Sequence, residues 1–437
     1  MTKPQSYTAK DIEQLPYPLN VQKRPNMYIG NPDSSGKLTC FREILNNSVD
    51  EFLSNNASII TVTRLSDDEF AIADNGRGVP FDKHKSGKNA LEVIFGELHA
   101  GRNFSEKTVY STGINGVGAS CVNALSEIFQ VTSQRSHDIA CITFNDGIKT
   151  NLELKKDNSK LAKNKTGTIV HWRFNNKFFE ENSVIDEKDL KQLLEETALL
   201  NDGLKINFIN YFNEDESNET QFTSSSKFGI GELLINYSPA EKNNKKYLFQ
   251  PVSFKADTIN NTKIEVAFTY SESDNNDVIH SFCNTIKTSE GGTHVTGFKR
   301  AMSQNILAFI KENNLSKEKI ESDDIFNGLN AIVSVFVFNP KYTNQVKSKL
   351  ANNEVNGHVF SYTNRAINEW LNDNPNTVKL LVKKIELSAK ARIAQKRALE
   401  AVKKDTNNSL MSLTNIDKFS DCEENSSGRT ELFCVEG

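Results

Sequence analysis

One stretch limits what this chain can fold into more than any other: FREILNNSVDE at 41–51. Wound at about 100° per residue, it sets Glu43, Asn47 and Asp50 within one narrow arc, with Phe41, Leu45 and Phe52 on the opposite side. A helix with that pattern must bury its apolar face. Its polar stripe carries two carboxylates and an amide in register, and such a stripe is ordinarily just a solvated surface. The residues that follow change that reading, because they supply the other parts of a nucleotide site in order.

SIITVTRLSDDEFAIADNGRGVP comes next. β-rich runs at 59–63 and 70–73 flank the polar RLSDDE, which reads as a hairpin turn. The second run ends on Asp74, where GRG breaks the pattern. A carboxylate fixed at a strand end can accept from an exocyclic amino group such as N6 of adenine, and glycines admit a ligand close to the backbone. An ordinary Asp/Gly turn is the competing reading. Residues 81–110, with the apolar helical piece LEVIFGELHA and Gly87, Gly96 and Gly101, suit a segment that moves over a site.

STGINGVGASCVNALSE at 111–127 places Gly113, Gly116 and Gly118 ahead of an apolar helix. Glycine-rich backbone entering a helix presents N–H groups suited to phosphates. It is not a Walker loop, since no GxxxxGK[ST] occurs, and no βαβ strand precedes it as a dinucleotide fingerprint requires. IFQVTSQR, ACITFNDG and TGTIVHWRF read as successive strands, with the Thr168 hydroxyl placed to share a base contact. A helix over 186–200 and the strand LKINFIN close this unit.

The polar NEDESNETQFTSSSK at 213–227 is the best domain boundary. A second α/β unit then has strand-like runs at 264–270, 278–286 and 331–338, and a helix over 297–312 after the turn EGGTH. Lys347 and Lys349 lie in or near the loop that follows the last of these runs. From about 353 the chain reads as helical, with a basic segment at 377–404 that is a solvated face or a surface for an acidic partner. A polar linker at 405–429 leads to the strand-like TELFCVEG. At the other end, Pro4, Pro16, Pro18 and Pro25 disfavour regular structure over 1–25.

Length and composition are compatible with this plan. A chain of 437 residues admits two or three domains with real cores, and a net charge of −4 neither requires nor excludes nucleic acid. Six cysteines without a CxxC pair and seven histidines without HExxH predict reduced thiols and no structural zinc. MTKPQSYTAK lacks the apolar core of a signal peptide, and no run of about 18 apolar residues occurs. The expected location is cytoplasmic (the host cytoplasm if the chain is phage-encoded), with no membrane contact.

In their order, the Glu/Asn helix, ADNGRGVP, NGVGAS and TGT resemble the GHKL ATPases. KRPNMYIG, LHAG, NGVGASCVNALS, EGGTHVTGF, the Gln345-Val346-Lys347 loop and TELFCVEG narrow the resemblance. Over nearly the whole chain they are similar to the ATPase subunits of type IIA DNA topoisomerases, the group of gyrase B, its topoisomerase IV counterpart and their phage relatives. The resemblance implies an α/β (α+β) fold. A dimer-exchange arm would occupy 1–25 and a Bergerat-type GHKL ATPase sandwich 26–223. A transducer domain with a ribosomal-protein-like fold, a left-handed crossover and a long C-terminal helix would occupy 224–402. Residues 403–437 would be a linker and the first strand of a truncated or split Toprim domain.

The resemblance further implies Mg2+-dependent ATP hydrolysis working a DNA gate. The implied partners are a DNA duplex, a second copy of the chain, the DNA-cleaving tyrosine subunit and the rest of Toprim. This chain alone would not cleave DNA. A GHKL chaperone or mismatch-repair clamp would share the pocket, but EGGTHVTGF and TELFCVEG argue against that class.

By the same resemblance, Glu43 would be the general base for the attacking water and Asn47 would hold the Mg2+. Asp74 would accept from the adenine amino group with Thr168, and Arg77, Gly78 and Pro80 would line that edge. Asn115, Gly116, Val117 and Gly118 would wrap the triphosphate. Lys347, with Gln345 beside it, would reach from the transducer to the γ-phosphate, a contact made only when that phosphate is present. Tyr7 would cross to the partner's nucleotide with Ile12 packing behind it, and Glu436 would stand in the Toprim metal position. Asp50 and Glu51 match the family without an assigned step. Three departures stand out: Asn115 where gyrase-type members carry His, Gln-Val-Lys for Gln-Thr-Lys, and Asn103 for a lysine whose charge moves to Arg102.

Overall fold

The computed structural model describes residues 15–100, 110–113, 116–159, 165–211, 219–223, 230–237, 247–259, 261–272, 276–344 and 347–412. Tyr7, Ile12, Arg102, Asn103, Asn115, Gln345 and Glu436 lie outside the described residues.

The first elements correct the reading of the prolines. α1 (Leu19–Lys23) forms within the stretch expected to be irregular and α2 (Asn26–Ile29) directly after it, with Pro18 and Pro25 as their N-caps. A missing N–H costs nothing at a helix start, where that donor has no intrahelical partner. α3 (Ser34–Leu53) begins well ahead of the 41–51 stretch, because the Asp33 side chain accepts from the Ser35 and Gly36 amides at 2.8 and 3.3 Å. Loss of such a cap costs about 1 kcal/mol.

α3 buries Phe41, Ile44, Leu45 and Val49. These pack on a sheet that opens with the hairpin β1 (Ile59–Arg64) and β2 (Glu69–Asp74), as the alternation predicts. α4 (Ala90–Gly96) and α5 (Gly118–Ala124) follow, then β3 (Ser126–Arg135), β4 (Asp138–Asn145), β5 (Ile148–Lys156) and β6 (Thr166–Phe174). α6 (Glu187–Leu199), β7 (Lys205–Asn210) and β8 (Glu219–Thr223) complete an eight-stranded sheet of order β5-β4-β3-β6-β2-β1-β7-β8. Among the described strands of this sheet, β1 and β7 alone pair in parallel. Phe41 meets Phe70 edge-on at 5.5 Å and Trp172 at 5.8 Å, all three fully buried. Truncating Phe41 to Ala there would cost about 3–5 kcal/mol.

Two strands of this sheet went unforeseen. β5 is an edge strand whose Ile148 and Leu154 stay exposed, so no alternation of buried and exposed positions betrays it. β8 lies inside the polar stretch read as a boundary and pairs antiparallel with β7.

The rest of the chain packs around a second sheet. α7 (Ile230–Tyr237), β9 (Val252–Ile259), β10 (Thr262–Tyr270), β11 (Val278–Cys283) and β12 (Ile286–Lys287) precede α8 (Thr293–Glu312), α9 (Ser322–Phe326) and β13 (Leu329–Val337). Strand order is β12-β11-β13-β10-β9, with β11 parallel to β13. The run read as one strand at 278–286 breaks at Asn284 and Thr285, both left-handed at φ 49° and 67°, and turns back as β12. α10 (Asn353–Asp373) and α11 (Pro375–Ser412) finish the described chain, so residues 405–412, expected as linker, are helical. Leu199 and Leu200 at the end of α6 pack with Ile230, Leu233, Leu234, Phe282 and Ile332, an apolar seam between the two halves.

Candidate functional site

Two groups of residues sit along α3, from Glu43 to Glu51. At a rise of 1.5 Å per residue they are about 12 Å apart.

The N-terminal group centres on Glu43. A Cβ at Gly118 would lie 2.1 Å from Glu43 Oε2, so only glycine lets the start of α5 pass directly over this carboxylate. Gly116 adopts φ +61°, its carbonyl accepts from the Ala100 amide, and Val117 is buried as the N-cap of α5. Tyr17 Oη holds the same helix from outside, donating to the Ser120 carbonyl at 2.9 Å.

From the second half, Lys347 Nζ approaches Glu43 Oε1 at 3.1 Å. Lys347 is only 4% exposed and its backbone is left-handed, at φ 63°. The lysine's link to the first half therefore has a protein partner, where the sequence reading allowed a phosphate alone. Its loop is braced by the EGGTH turn: Ser348 Oγ donates to Glu290 Oε1 at 2.6 Å, and the Glu290 amide donates to the Ser348 carbonyl at 2.9 Å. The Gly291 carbonyl accepts from the Leu350 amide. Asn47 stands one turn beyond Glu43 on α3, exposed.

Asp50, which had no assigned role, lies about two turns along α3 from Glu43 and anchors the backbone of residues 111–113. Its Oδ1 accepts from the Thr112 amide and hydroxyl at 2.6 and 2.7 Å, and its Oδ2 from Ser111 Oγ and the Gly113 amide at 2.6 and 3.2 Å. Burial pushes the Asp50 carboxyl up, and those donors hold it back only in part.

The C-terminal group centres on Asp74 at the end of β2. Asp74 Oδ2 accepts from Ser48 Oγ at 3.0 Å and Oδ1 from the Gly76 amide at 2.9 Å. Burial raises this carboxyl too, against the pull of the two donors. Thr168 lies directly opposite in β6, buried. Arg77 grips Glu51 through two N–H groups, Nη2 to Oε1 at 2.6 Å and Nε to Oε2 at 3.0 Å. Gly78 turns at φ +75°, where a Cβ would meet the Gln134 carbonyl at 2.5 Å, and Pro80 is exposed beyond it.

The structure thus brings together Glu43, Lys347, Gly116, Val117 and Gly118 at one end and Asp74, Thr168, Arg77 and Gly78 at the other. Sequence reasoning missed Ser48 and Glu290. Ser48 is a hydroxyl on the apolar side of an amphipathic helix, and that mismatch was the available signal. Among the described residues no group of three or more His, Cys, Asp or Glu could hold a metal ion. The Asn47 amide, exposed one turn from Glu43, could give an ion one oxygen ligand.

A sequence profile described as DNA gyrase B matches residues 229–401. Another, described as histidine kinase-, DNA gyrase B- and HSP90-like ATPase, matches 33–175. The DNA gyrase B protein of Thermotoga maritima is 36% identical over 99% of this chain and 67% of its own length. The corresponding DNA topoisomerase 4 protein of Francisella tularensis is also 36% identical, with the same coverage. The DNA gyrase B protein of Streptococcus pneumoniae is 34% identical, with 65% of its length covered. The chain therefore spans about two thirds of these relatives. Among solved structures, the 43K ATPase domain of Thermus thermophilus gyrase B superposes with a TM-score of 0.68 at 32% identity, covering 87% of this chain and 97% of that one. The ATPase region of Saccharomyces cerevisiae topoisomerase II shares the fold, with a TM-score of 0.63 at 18% identity, covering 84% of this chain and 99% of that one.

Proposed function

The chain belongs to the DNA gyrase B family, and from that premise we propose that it is the ATP-hydrolysing gate of a type IIA DNA topoisomerase. The observation that carries this reading is Glu43, set between the backbone of Gly118 and the ammonium of Lys347 from the other half.

Phosphoryl transfer to water needs positioning and charge neutralisation more than covalent chemistry. Glu43 orients the attacking water and takes its proton. Asn115, Gly116, Val117 and Gly118 enclose the phosphates with backbone N–H groups. Asp74 accepts from the adenine amino group, with Thr168 beside it and Arg77, Gly78 and Pro80 at the pocket edge. Mg2+, held on the protein side by Asn47, would supply further neutralisation of the phosphate charge when bound. Lys347 has Glu43 as its anionic partner, and a terminal phosphate offers it a second. Transfer of the lysine to that phosphate frees the base and shifts the transducer together. Gln345 and Arg102 assist at the phosphates. Tyr7 of the arm reaches the nucleotide of a second copy, so ATP binding closes a dimer on a DNA duplex and hydrolysis resets it.

The proposed limits are 1–25 for the arm, 26–223 for the ATPase domain, 224–402 for the transducer and 403–437 for the linker and first Toprim strand, with Glu436 as one metal ligand. DNA cleavage falls to the tyrosine subunit and the rest of Toprim. The setting is the cytoplasm, and among the described residues no helix is long and apolar enough to cross a membrane.

The test is ATP turnover with light scattering, with and without a non-hydrolysable ATP analogue. Turnover and an analogue-driven shift from monomer to dimer are expected. No turnover and an unchanged mass would contradict the reading.

A further inference from the structure

Lys347 is not the only point where the second half reaches the nucleotide end. Residues 110–113, just ahead of the phosphate-binding turn, lie between the halves. The Tyr110 ring packs on Phe338 at 4.6 Å and Phe336 at 5.7 Å, with Lys263 Nζ 5.1 Å from its centre. The next residue is held from both sides. Ser111 Oγ donates to Asp50, while its carbonyl accepts from Asn284 Nδ2 at 2.7 Å.

Asn284 is fully buried and lies in the sharp turn between β11 and β12. Its side chain completes a rung with β13: Nδ2 donates to the Val337 carbonyl at 2.9 Å, and Oδ1 accepts from the Val337 amide at 2.7 Å. Its own amide donates to the Val335 carbonyl at 2.8 Å. One amide therefore joins the ends of both parallel strands to the backbone that enters the phosphate turn. From there the contacts run through Ser111 and Thr112 to Asp50, on the same helix as Glu43.

Resting on the ATPase reading above, we propose that Asn284 is a positioning residue that couples the transducer sheet to the phosphate end of the site. A displacement of β11 and β13 moves the Ser111 carbonyl, and with it the backbone that Asp50 grips. This route differs from Lys347 in kind. It is neutral and buried, so water offers no substitute partner for its groups and it holds whatever the charge state of the site.

The test uses the full chain. Asn284→Gly keeps the left-handed backbone and removes the amide. Asn284→Asp keeps the acceptor for Val337 and removes both donors. In each, at a temperature well below its own melting midpoint, kcat for ATP is expected to fall about tenfold, with KM within about twofold, while the buried groups left unpaired lower the melting temperature by several degrees. A separate measurement on the unaltered chain is hydrogen exchange with a non-hydrolysable ATP analogue, where peptides spanning 110–113, 282–286 and 333–338 are expected to gain protection together. An unchanged kcat, a loss of kcat that only follows a loss of melting temperature, or protection confined to 110–113 would overturn the coupling and leave the ATPase reading intact. If neither variant folds, the exchange experiment decides. Absence of turnover and of protection everywhere in the unaltered chain would overturn both.

Discussion

The two ends of α3 differ in who builds them. Around Asp74 the described contacts come from the first half: Ser48 from α3 itself, the Gly76 amide from the following turn, and Thr168 from the neighbouring strand. Around Glu43 the walls are shared, since Lys347 comes from the second half and reaches the site on left-handed backbone. On the proposed function, the difference separates two tasks. An end complete within one rigid sheet suits recognition of a base, which should not depend on the state of the gate. An end that needs both halves suits chemistry that must report to, and be controlled by, the gate.

Substitutions at the two ends should therefore fail differently. The largest effect is expected at the shared end. Glu43→Gln should lower kcat by roughly 10²–10⁴-fold while ATP still binds within a few-fold, since it removes the base and little of the volume. Near-normal turnover with intact binding would take Glu43 out of that role. At the self-contained end, Asp74→Asn replaces an acceptor with a group that partly donates. Nucleotide affinity, by titration calorimetry, should fall about 10–100-fold, the range of one charged hydrogen bond, with kcat at saturation changed less than about threefold. A comparable loss of kcat would erase the distinction between the ends.

A smaller effect separates the halves by pH. In the second half, burial drives the His294 ring down to about 3 and His280, beside Lys287 as well, to about 4. Below the ordinary histidine value near 6.5 the unfolded chain takes up these protons and the folded chain does not. Their neutral burial costs nothing above that value, and stability drains away as pH falls toward 4. Asp50 and Asp74 run the other way: with carboxyls raised by burial, the folded first half gains stability as pH falls through their range. The chain has two tryptophans, Trp172 in the first core and Trp370 in the second, so single-tryptophan variants report each half. Between pH 7 and 5 the Trp370 midpoint should drop by more than the Trp172 midpoint. A larger drop at Trp172 would reverse the assignment.

How far this could be read from the sequence depends on the range of the interactions. Asp74 was legible because a strand end, its turn and its partner helix lie close along the chain, and the stripe of α3 because 3.6-residue periodicity is local. Family motifs pointed to Glu43 and Lys347, yet nothing local in the sequence says that side chains 304 positions apart touch. Asn284 was hidden inside an apolar run read as continuous strand, since left-handed backbone leaves no mark on hydrophobic patterning. β5 escaped for a related reason, as an element without a buried face looks like a linker. Pro18 and Pro25 misled because the same residue that breaks a helix interior starts a helix well.

The claim that the hydrolytic end is shared and the binding end is not meets its most direct test in Lys347→Ala, with ATP turnover and ADP affinity measured on the same preparation. Loss of a cation from the terminal phosphate should cut kcat about tenfold or more and leave ADP affinity within about twofold. Equal losses in the two quantities would contradict it and place Lys347 in general nucleotide binding.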